Sequence, residues 1–251
     1  MSDINNQIIF EDNHLLILNK RSGQLVQGDK TGDSPLLEEL KTYVKQTYQK
    51  QGNVFIGLAH RLDRPCSGVV VFAKTSKALE RMNAIFRDGE ATKKYWAVSE
   101  VCPDIVNGTL QNFLQKNEKQ NKSYIVEGPV KKDIKEAILH YTVLGKSERY
   151  FLIEIELITG RHHQIRAQLS GIGCPIKGDL KYGASRSNKD GSIHLHALSI
   201  QFIHPVKKEE IKITAFPPKQ DTLWSLFLQH PGLSFDERNI VVQNHSGFVH
   251  I

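Results

Sequence analysis

The sequence predicts an α+β fold in which a mixed, largely antiparallel β-sheet is flanked by helices. Short apolar or alternating runs recur along the chain, and helical stretches with a single apolar face fall among them. The strand–helix–strand rhythm that builds an all-parallel sheet is missing.

In chain order, Ile8-Ile9-Phe10 and Leu15-Leu16-Ile17-Leu18 flank the polar Glu11-Asp12-Asn13-His14 as strand, turn and strand. A polar loop from Asn19 to Gly23 follows. Ser34-Pro35 has the form of an N-cap with proline at the first helical position. It opens a helix to about Gln51, with Leu36, Leu37, Leu40 and Val44 on one face. The β-branched and aromatic run Val69-Val70-Val71-Phe72-Ala73 reads as a buried strand. Ser76 can cap a second helix through about Arg87, with Leu79, Met82, Ile85 and Phe86 as its apolar stripe and Gly89 as its stop.

Strands are then predicted over Tyr95–Val101, Gly108–Leu114, Ser123–Val126, Ala137–Leu144 and Tyr150–Ile158. The last alternates, with Phe151, Ile153, Ile155 and Leu157 on one side. Thr159 or Gly160 can cap a short helix ending near Gly171 or Gly173, which puts Ile165 and Leu169 inward and His162 and Arg166 on a neighbouring face. Cys174 to Gly183 is dense in turn residues and reads as an irregular loop. His194–His204 and Glu210–Phe216 read as strands, Pro217-Pro218 breaks the chain, and a helix follows from Asp221 to Gln229. There is no internal repeat and no low-complexity tract. These elements are expected to form one catalytic domain over residues 1–230, with 231–251 a tail of unassigned path.

The 251 residues suffice for one large domain. No apolar run approaches the roughly 20 residues that span a bilayer, and the first residues lack the basic and apolar regions of a secretory signal. Cys66, Cys102 and Cys174 are odd in number and far apart, which speaks against a disulfide framework and for a reducing, cytoplasmic setting. The 33 Lys plus Arg against 27 Asp plus Glu leave a formal charge of +6, a mild bias towards a polyanionic partner. Lys116, Lys119, Lys122, Lys131, Lys132 and Lys135 concentrate in the predicted loops, as a solvated rim or as a rim facing phosphates.

The segment that carries chemistry is His60-Arg61-Leu62-Asp63-Arg64-Pro65-Cys66-Ser67-Gly68, directly ahead of the buried strand. A carboxylate between two arginines is held ionised at neutral pH. That suits a nucleophile or a charge stabiliser rather than a resting general acid. The alternative is an exposed Arg-Asp-Arg network, worth roughly 0–1 kcal/mol per pair. Among metal-ligand candidates, His194-x-His196 puts two rings on one side of a strand, yet no paired zinc spacing is present. Cys66 reads better as a small buried hydrophobe than as a nucleophile, and no phosphate-cradling glycine loop occurs.

Five segments in order carry a resemblance: His60 to Lys74, Lys93-Lys94-Tyr95-Trp96-Ala97-Val98, Gly160 to Arg166, Pro175-Ile176-x-Gly178-Asp179-x-x-Tyr182-Gly183, and Leu195-His196-Ala197 through Phe202-x-His204-Pro205. Together they resemble the RluA-type RNA pseudouridine synthases, which isomerise uridine in ribosomal RNA or tRNA, and the likeness runs from about Ile8 to Phe216. It implies that Asp63 is the essential carboxylate, attacking the ribose or the uracil ring or stabilising charge there. Tyr95 would lie against the uracil, Arg166 would pair with Asp63, and Arg61 would help displace the target nucleotide. His60, Arg64, Arg161 and His162 would join Arg61 in holding substrate. Asp63 is then expected in a cleft lined by Arg61, Tyr95 and Arg166, with a basic surface at its mouth.

The physical requirements agree with these roles. Extruding a base costs a few kcal/mol, and an aromatic platform returns about 1–3 kcal/mol per stacked base. The isomerisation has no net redox change, so no cofactor and no metal are implied; the partner is RNA. Departures from the family pattern are Arg21 after the loop lysine, Cys66 for Thr or Ser, His162 for Thr, and Ala167-Gln168 for Val-His. With the first strand near Ile8, no upstream RNA-binding module is expected. The rival reading from another class is a catalytically silent RNA-binding or ribosome-assembly protein; a third is a metal-dependent hydrolase built on His194 and His196.

Overall fold

The computed structural model describes residues 3–28, 32–129 and 131–229; the expected tail, 231–251, lies outside them. In chain order the elements are β1 (Ile8–Glu11), β2 (Leu15–Lys20), α1 (Leu36–Thr47), β3 (Gly57–Leu58), β4 (Ser67–Ala73), α2 (Ser76–Arg87) and β5 (Thr92–Ser99). Then come β6 (Asn107–Asn117), β7 (Lys122–Val126), β8 (Ile134–Lys146), β9 (Phe151–Leu157), α3 (Gln164–Gly171), β10 (Leu195–Ile203), β11 (Glu210–Thr214) and α4 (Thr222–Leu228). The fold is α+β with a mixed, mostly antiparallel sheet, as the sequence predicts. No helix among the described residues is long and apolar enough to cross a membrane. The chain divides into two compact units, the first reaching Ala91 and resuming over Ala197–Phe216, the second holding Thr92–His196 and the stretch from Pro217.

In the first unit the strand order is β1-β2-β4-β10, with β3 also pairing β4 and β11 pairing β10. All seven residues of β4 are buried, which is why its sequence is a continuous apolar run rather than an alternation. Val69, Val71 and Ala73 share one face and pack with Ala78, Met82 and Ile85 of α2 and with Leu15, Ile17, Phe202 and Ile213. Each large aliphatic side chain so buried contributes about 1.5–3 kcal/mol. β4 and β10 approach so closely that a Cβ on Gly68 would lie 2.2 Å from the Ala197 carbonyl oxygen, and the φ of Gly68 is +111°. Only glycine satisfies both constraints.

The second unit is an antiparallel array in the order β5-β9-β8-β6-β7, with α3 against β6 and β7. Ile153 and Ile155 are fully buried and Leu157 nearly so, as their alternation predicts. In the same unit α4 is capped by Asp221, whose Oδ1 accepts from the N–H groups of Leu223 (2.9 Å) and Trp224 (3.0 Å).

Three helix starts differ from expectation. The N-cap of α1 is Pro35, with no side-chain cap bond, and the helix ends at Thr47 rather than near Gln51. Thr75, not Ser76, caps α2, its hydroxyl accepting from Ala78 N–H at 3.2 Å. α3 starts only at Gln164, after His163 in the left-handed region at φ 52°. Thr159 cannot cap it, because the Thr159 hydroxyl is tied to Gln164 Oε1 (2.8 Å) and to the Ile138 strand position. His162 therefore precedes the helix and shares no helical face with Arg166.

Candidate active site

The loop that carries Asp63 joins β3 to β4 in the first unit. Its turn closes through Cys66 N–H donating to the Asp63 carbonyl at 3.0 Å. Beneath it lies Lys20, at the end of β2 and fully buried. Its ammonium donates to three carbonyls, those of Cys66 (2.6 Å), Arg21 (2.9 Å) and Arg64 (3.2 Å). Charge-assisted bonds of this kind are worth about 1.5–3 kcal/mol each, so one side chain from β2 staples the Asp63 turn to the sheet. Burial pulls the Lys20 pKa down to about 8, opposed by nearby Cys66 and Asp63 and reinforced by Arg64. Lys20 is thus also a positive charge within electrostatic reach of the Asp63 carboxylate.

The residues around Asp63 have distinct surroundings. Arg64 is exposed, and binds the Gly23 carbonyl through Nε (3.0 Å) and Asp33 through Nη2 (2.7 Å). Arg61 is exposed, and among the described residues its guanidinium has no hydrogen-bond or ion-pair partner. His60 packs on Phe86 with ring centroids 4.8 Å apart. Its Nε2 accepts from Val71 N–H at 3.2 Å, which assigns the proton of the neutral ring to Nδ1. Cys66 is buried at 3% exposure, the small apolar filler its context predicts. Asp63 itself is half-buried.

Tyr95, Arg161, His162 and Arg166 belong to the second unit. Tyr95 sits on β5 opposite Ile155 of β9 and is buried to 8% exposure. Arg166, on the first turn of α3, is also buried. Its Nε and Nη2 donate to Asp179 at 2.7 and 2.8 Å, a bidentate pair. The guanidinium carbon also stands 5.0 Å from the centroid of the Tyr182 ring. Asp179 and Tyr182 are the parts of this arrangement that sequence reasoning missed as functional residues. Their signal was present, since both fall in the Gly178-Asp179-x-x-Tyr182-Gly183 segment of the turn-rich loop.

The residues before α3 are held by the protein itself. Arg161 is exposed and donates through Nε to the Glu136 carbonyl at 2.8 Å. Lys93 has its pKa lowered by burial and then by Arg161. Gln164 Oε1 accepts from Arg161 N–H (3.0 Å), while its amide nitrogen donates to the Ile138 carbonyl (3.0 Å). His162 stacks on His163 at 3.8 Å, and its ring nitrogens meet Ser123 Oγ (2.9 Å) and Asn121 Oδ1 (3.1 Å). Gln168 donates to the carbonyls of Leu110 and Ala137 (both 3.1 Å) and to Asn112 Oδ1 (2.8 Å), tying α3 to β6 and β8. The departures His162 and Gln168 therefore both do structural work.

His194 and His196 are buried with Trp224, at centroid distances of 5.2 and 6.1 Å. His194 bonds Asn188 (3.0 Å) and Asp221 (3.2 Å) through its two nitrogens. Among the described residues, no group of three or more His, Cys, Asp or Glu side chains is placed to hold a metal ion.

A family model described as RNA pseudouridylate synthase matches residues 14–171. The ribosomal large subunit pseudouridine synthase C of Buchnera aphidicola is 37% identical over 219 residues, covering 84% of this chain and 67% of that protein. The ribosomal large subunit pseudouridine synthase D of Zymomonas mobilis is 31% identical, covering 86% of this chain and 71% of that one. Among solved structures, human RNA pseudouridylate synthase domain containing 4 superposes with a TM-score of 0.75 at 25% identity, over 89% of this chain and 93% of that chain.

Proposed function

The chain belongs to the RNA pseudouridylate synthase family, and from that premise we propose that it isomerises particular uridines in ribosomal RNA or tRNA. Large-subunit ribosomal RNA is favoured by the names its relatives carry. In the reaction the bond from uracil nitrogen to the ribose carbon breaks and a carbon–carbon bond forms in its place. The ring carbon releases its proton, and the freed nitrogen takes one up. Atoms and electrons balance within the nucleotide, so the proposal includes no cofactor, and it sets the protein in the cytoplasm with its RNA.

Asp63 is assigned the reacting carboxylate, as nucleophile or charge stabiliser. The observation that carries this is the Lys20 staple, which holds the Asp63 turn through two of its backbone carbonyls, those of Arg64 and Cys66, and brings positive charge close to the carboxylate. A positioned, ionised group is what either role needs. Tyr95 is assigned the stacking platform for an extruded uracil and Arg166 the cation that pairs with Asp63. Arg61, exposed and without a partner among the described residues, is assigned the displacement of the target nucleotide. His60, Arg64, Arg161 and His162 complete the substrate-holding set. His60 and His162 act there through the segments they fix.

The test is Asp63→Asn, assayed on RNA from a strain lacking this protein, with modified uridines mapped by sequencing. Wild-type protein should restore specific sites and Asp63→Asn none, with RNA affinity nearly unchanged. Modification retained by the variant would remove Asp63 from the mechanism. Tight RNA binding without modification by the wild type would favour the silent RNA-binding reading.

A further inference from the structure

Three groups in the second unit converge on Tyr182, a buried tyrosine at 4% exposure. The first is the hairpin of β6 and β7, whose turn and flanks carry Lys116, Lys119 and Lys122. Ser123 N–H, on β7, donates to Tyr182 Oη at 2.8 Å, and the Tyr182 hydroxyl donates to the Ser123 carbonyl at 3.2 Å. The second is the bend before α3, where His163 Nδ1 lies 3.0 Å from the same hydroxyl. The third is Arg166, over the Tyr182 ring at 5.0 Å, with Lys122 at 4.9 Å from the ring centroid.

The proton count of the hydroxyl closes. A phenol has one proton and two lone pairs. If the proton goes to the Ser123 carbonyl, Oη accepts from Ser123 N–H and from a proton on His163 Nδ1, and every position is used. His163 stands in the left-handed region, a conformation that costs a non-glycine residue energy unless its surroundings hold it. Tyr182 is one of the groups that hold it. Because β7 pairs only with β6 in the strand order, its outer N–H groups need partners elsewhere, and Tyr182 serves the Ser123 position. The hydroxyl therefore governs the hairpin, while the ring governs Arg166.

We propose that Tyr182 is a positioning residue that fastens the lysine-bearing β6–β7 hairpin to the arginine-bearing end of α3. One side chain then sets both the grip of the hairpin on a polyanion and the pose of the Arg166 guanidinium. The kinetic half of this proposal rests on the RNA-isomerase reading above; the tether itself does not.

Tyr182→Phe and Tyr182→Leu separate the two functions. Phe keeps the ring under Arg166 and loses the hydroxyl. Amide exchange across residues 118–126 should then quicken by about threefold to tenfold, the factor that one net hydrogen bond supplies, while exchange in β8 and β9 stays as in the wild type. KM for RNA should rise by a similar factor, with kcat falling less. Leu should add a clear loss of kcat, which Phe restores. Hairpin exchange unchanged in Tyr182→Phe would overturn the tether, as would a uniform quickening across the whole unit, which marks a merely structural role. Equal losses of kcat in Phe and Leu would overturn the division between hydroxyl and ring. Were the wild type to modify no RNA at all, the isomerase reading would fall, and the exchange pattern would still decide the tether.

Discussion

Removing the Asp179 carboxylate tests how firmly Arg166 is held. The pair is bidentate at 2.7 and 2.8 Å, and its side chains are 6% and 1% exposed. Asp179→Ala would leave a guanidinium where water does not replace the lost acceptor. Breaking one partner out of such a pair costs about 3–5 kcal/mol. The Tyr182 ring remains, and a desolvated cation–π contact is worth up to about 2 kcal/mol, so the loss should fall near the lower end, about 3 kcal/mol. At about 2–4 °C per kcal/mol for a chain of this size, the melting temperature should drop by about 6–12 °C. Urea unfolding at an unchanged m-value is the cleaner assay. The double variant Arg166→Met/Asp179→Leu removes both charges of this pair and should recover part of the loss, less what Asp63 forfeits with its assigned cation. It should still be inactive, which separates the stability of the pair from the role proposed for Arg166. A cost below about 1 kcal/mol for Asp179→Ala alone would refute the claim that the two charges depend on each other.

Lys20 yields a prediction with an unusual sign. Unfolded, it keeps its proton to 10.5; folded, it releases it at about 8. Between those values the unfolded chain binds the extra proton, so stability should rise with pH through that window, and the rise should be missing from Lys20→Met. Denaturant midpoints that track each other across the window in both proteins would contradict the burial of a charged Lys20. Gly68→Ala meets the Ala197 carbonyl oxygen at 2.2 Å and needs a positive φ; it should cost several kcal/mol, more than the roughly 1 kcal/mol of an ordinary glycine substitution, and soluble protein with a wild-type midpoint would overturn the close approach. Burial raises the Asp221 pKa, but the His194 bond and the two helix N–H groups outweigh it and bring it to about 2. Its stabilising contribution is complete above 3.8 and lost as pH falls through about 2. Asp221→Ala should therefore remove about 0.5–2 kcal/mol at neutral pH and flatten the acid limb of the unfolding profile, and an unchanged acid limb would argue against the cap.

The elements themselves were legible locally. The buried β4 run, the alternation of Phe151 to Leu157 and the glycine stop after α2 all follow from rules that act over a few residues. The α3 start was misplaced for a comparable reason: Thr159 satisfies a generic capping preference, yet Gln164 and the Ile138 strand position claim its hydroxyl. A residue with a better partner elsewhere does not cap.

What the sequence determined by itself was most of the strand and helix inventory and, through ordered motifs, the family; it singled out Asp63, the acid between Arg61 and Arg64, as the carboxylate to test. What only the tertiary structure decided was who holds whom. Lys20 reaches carbonyls 44 and 46 residues away, Gln168 bonds a strand 58 residues earlier, and Arg166 is gripped by Asp179 from a loop that shows no periodicity. Periodicity records which face a side chain points to. It carries no information about which distant polar group the folded chain brings to meet it, and buried charge must find such a group or go unmade.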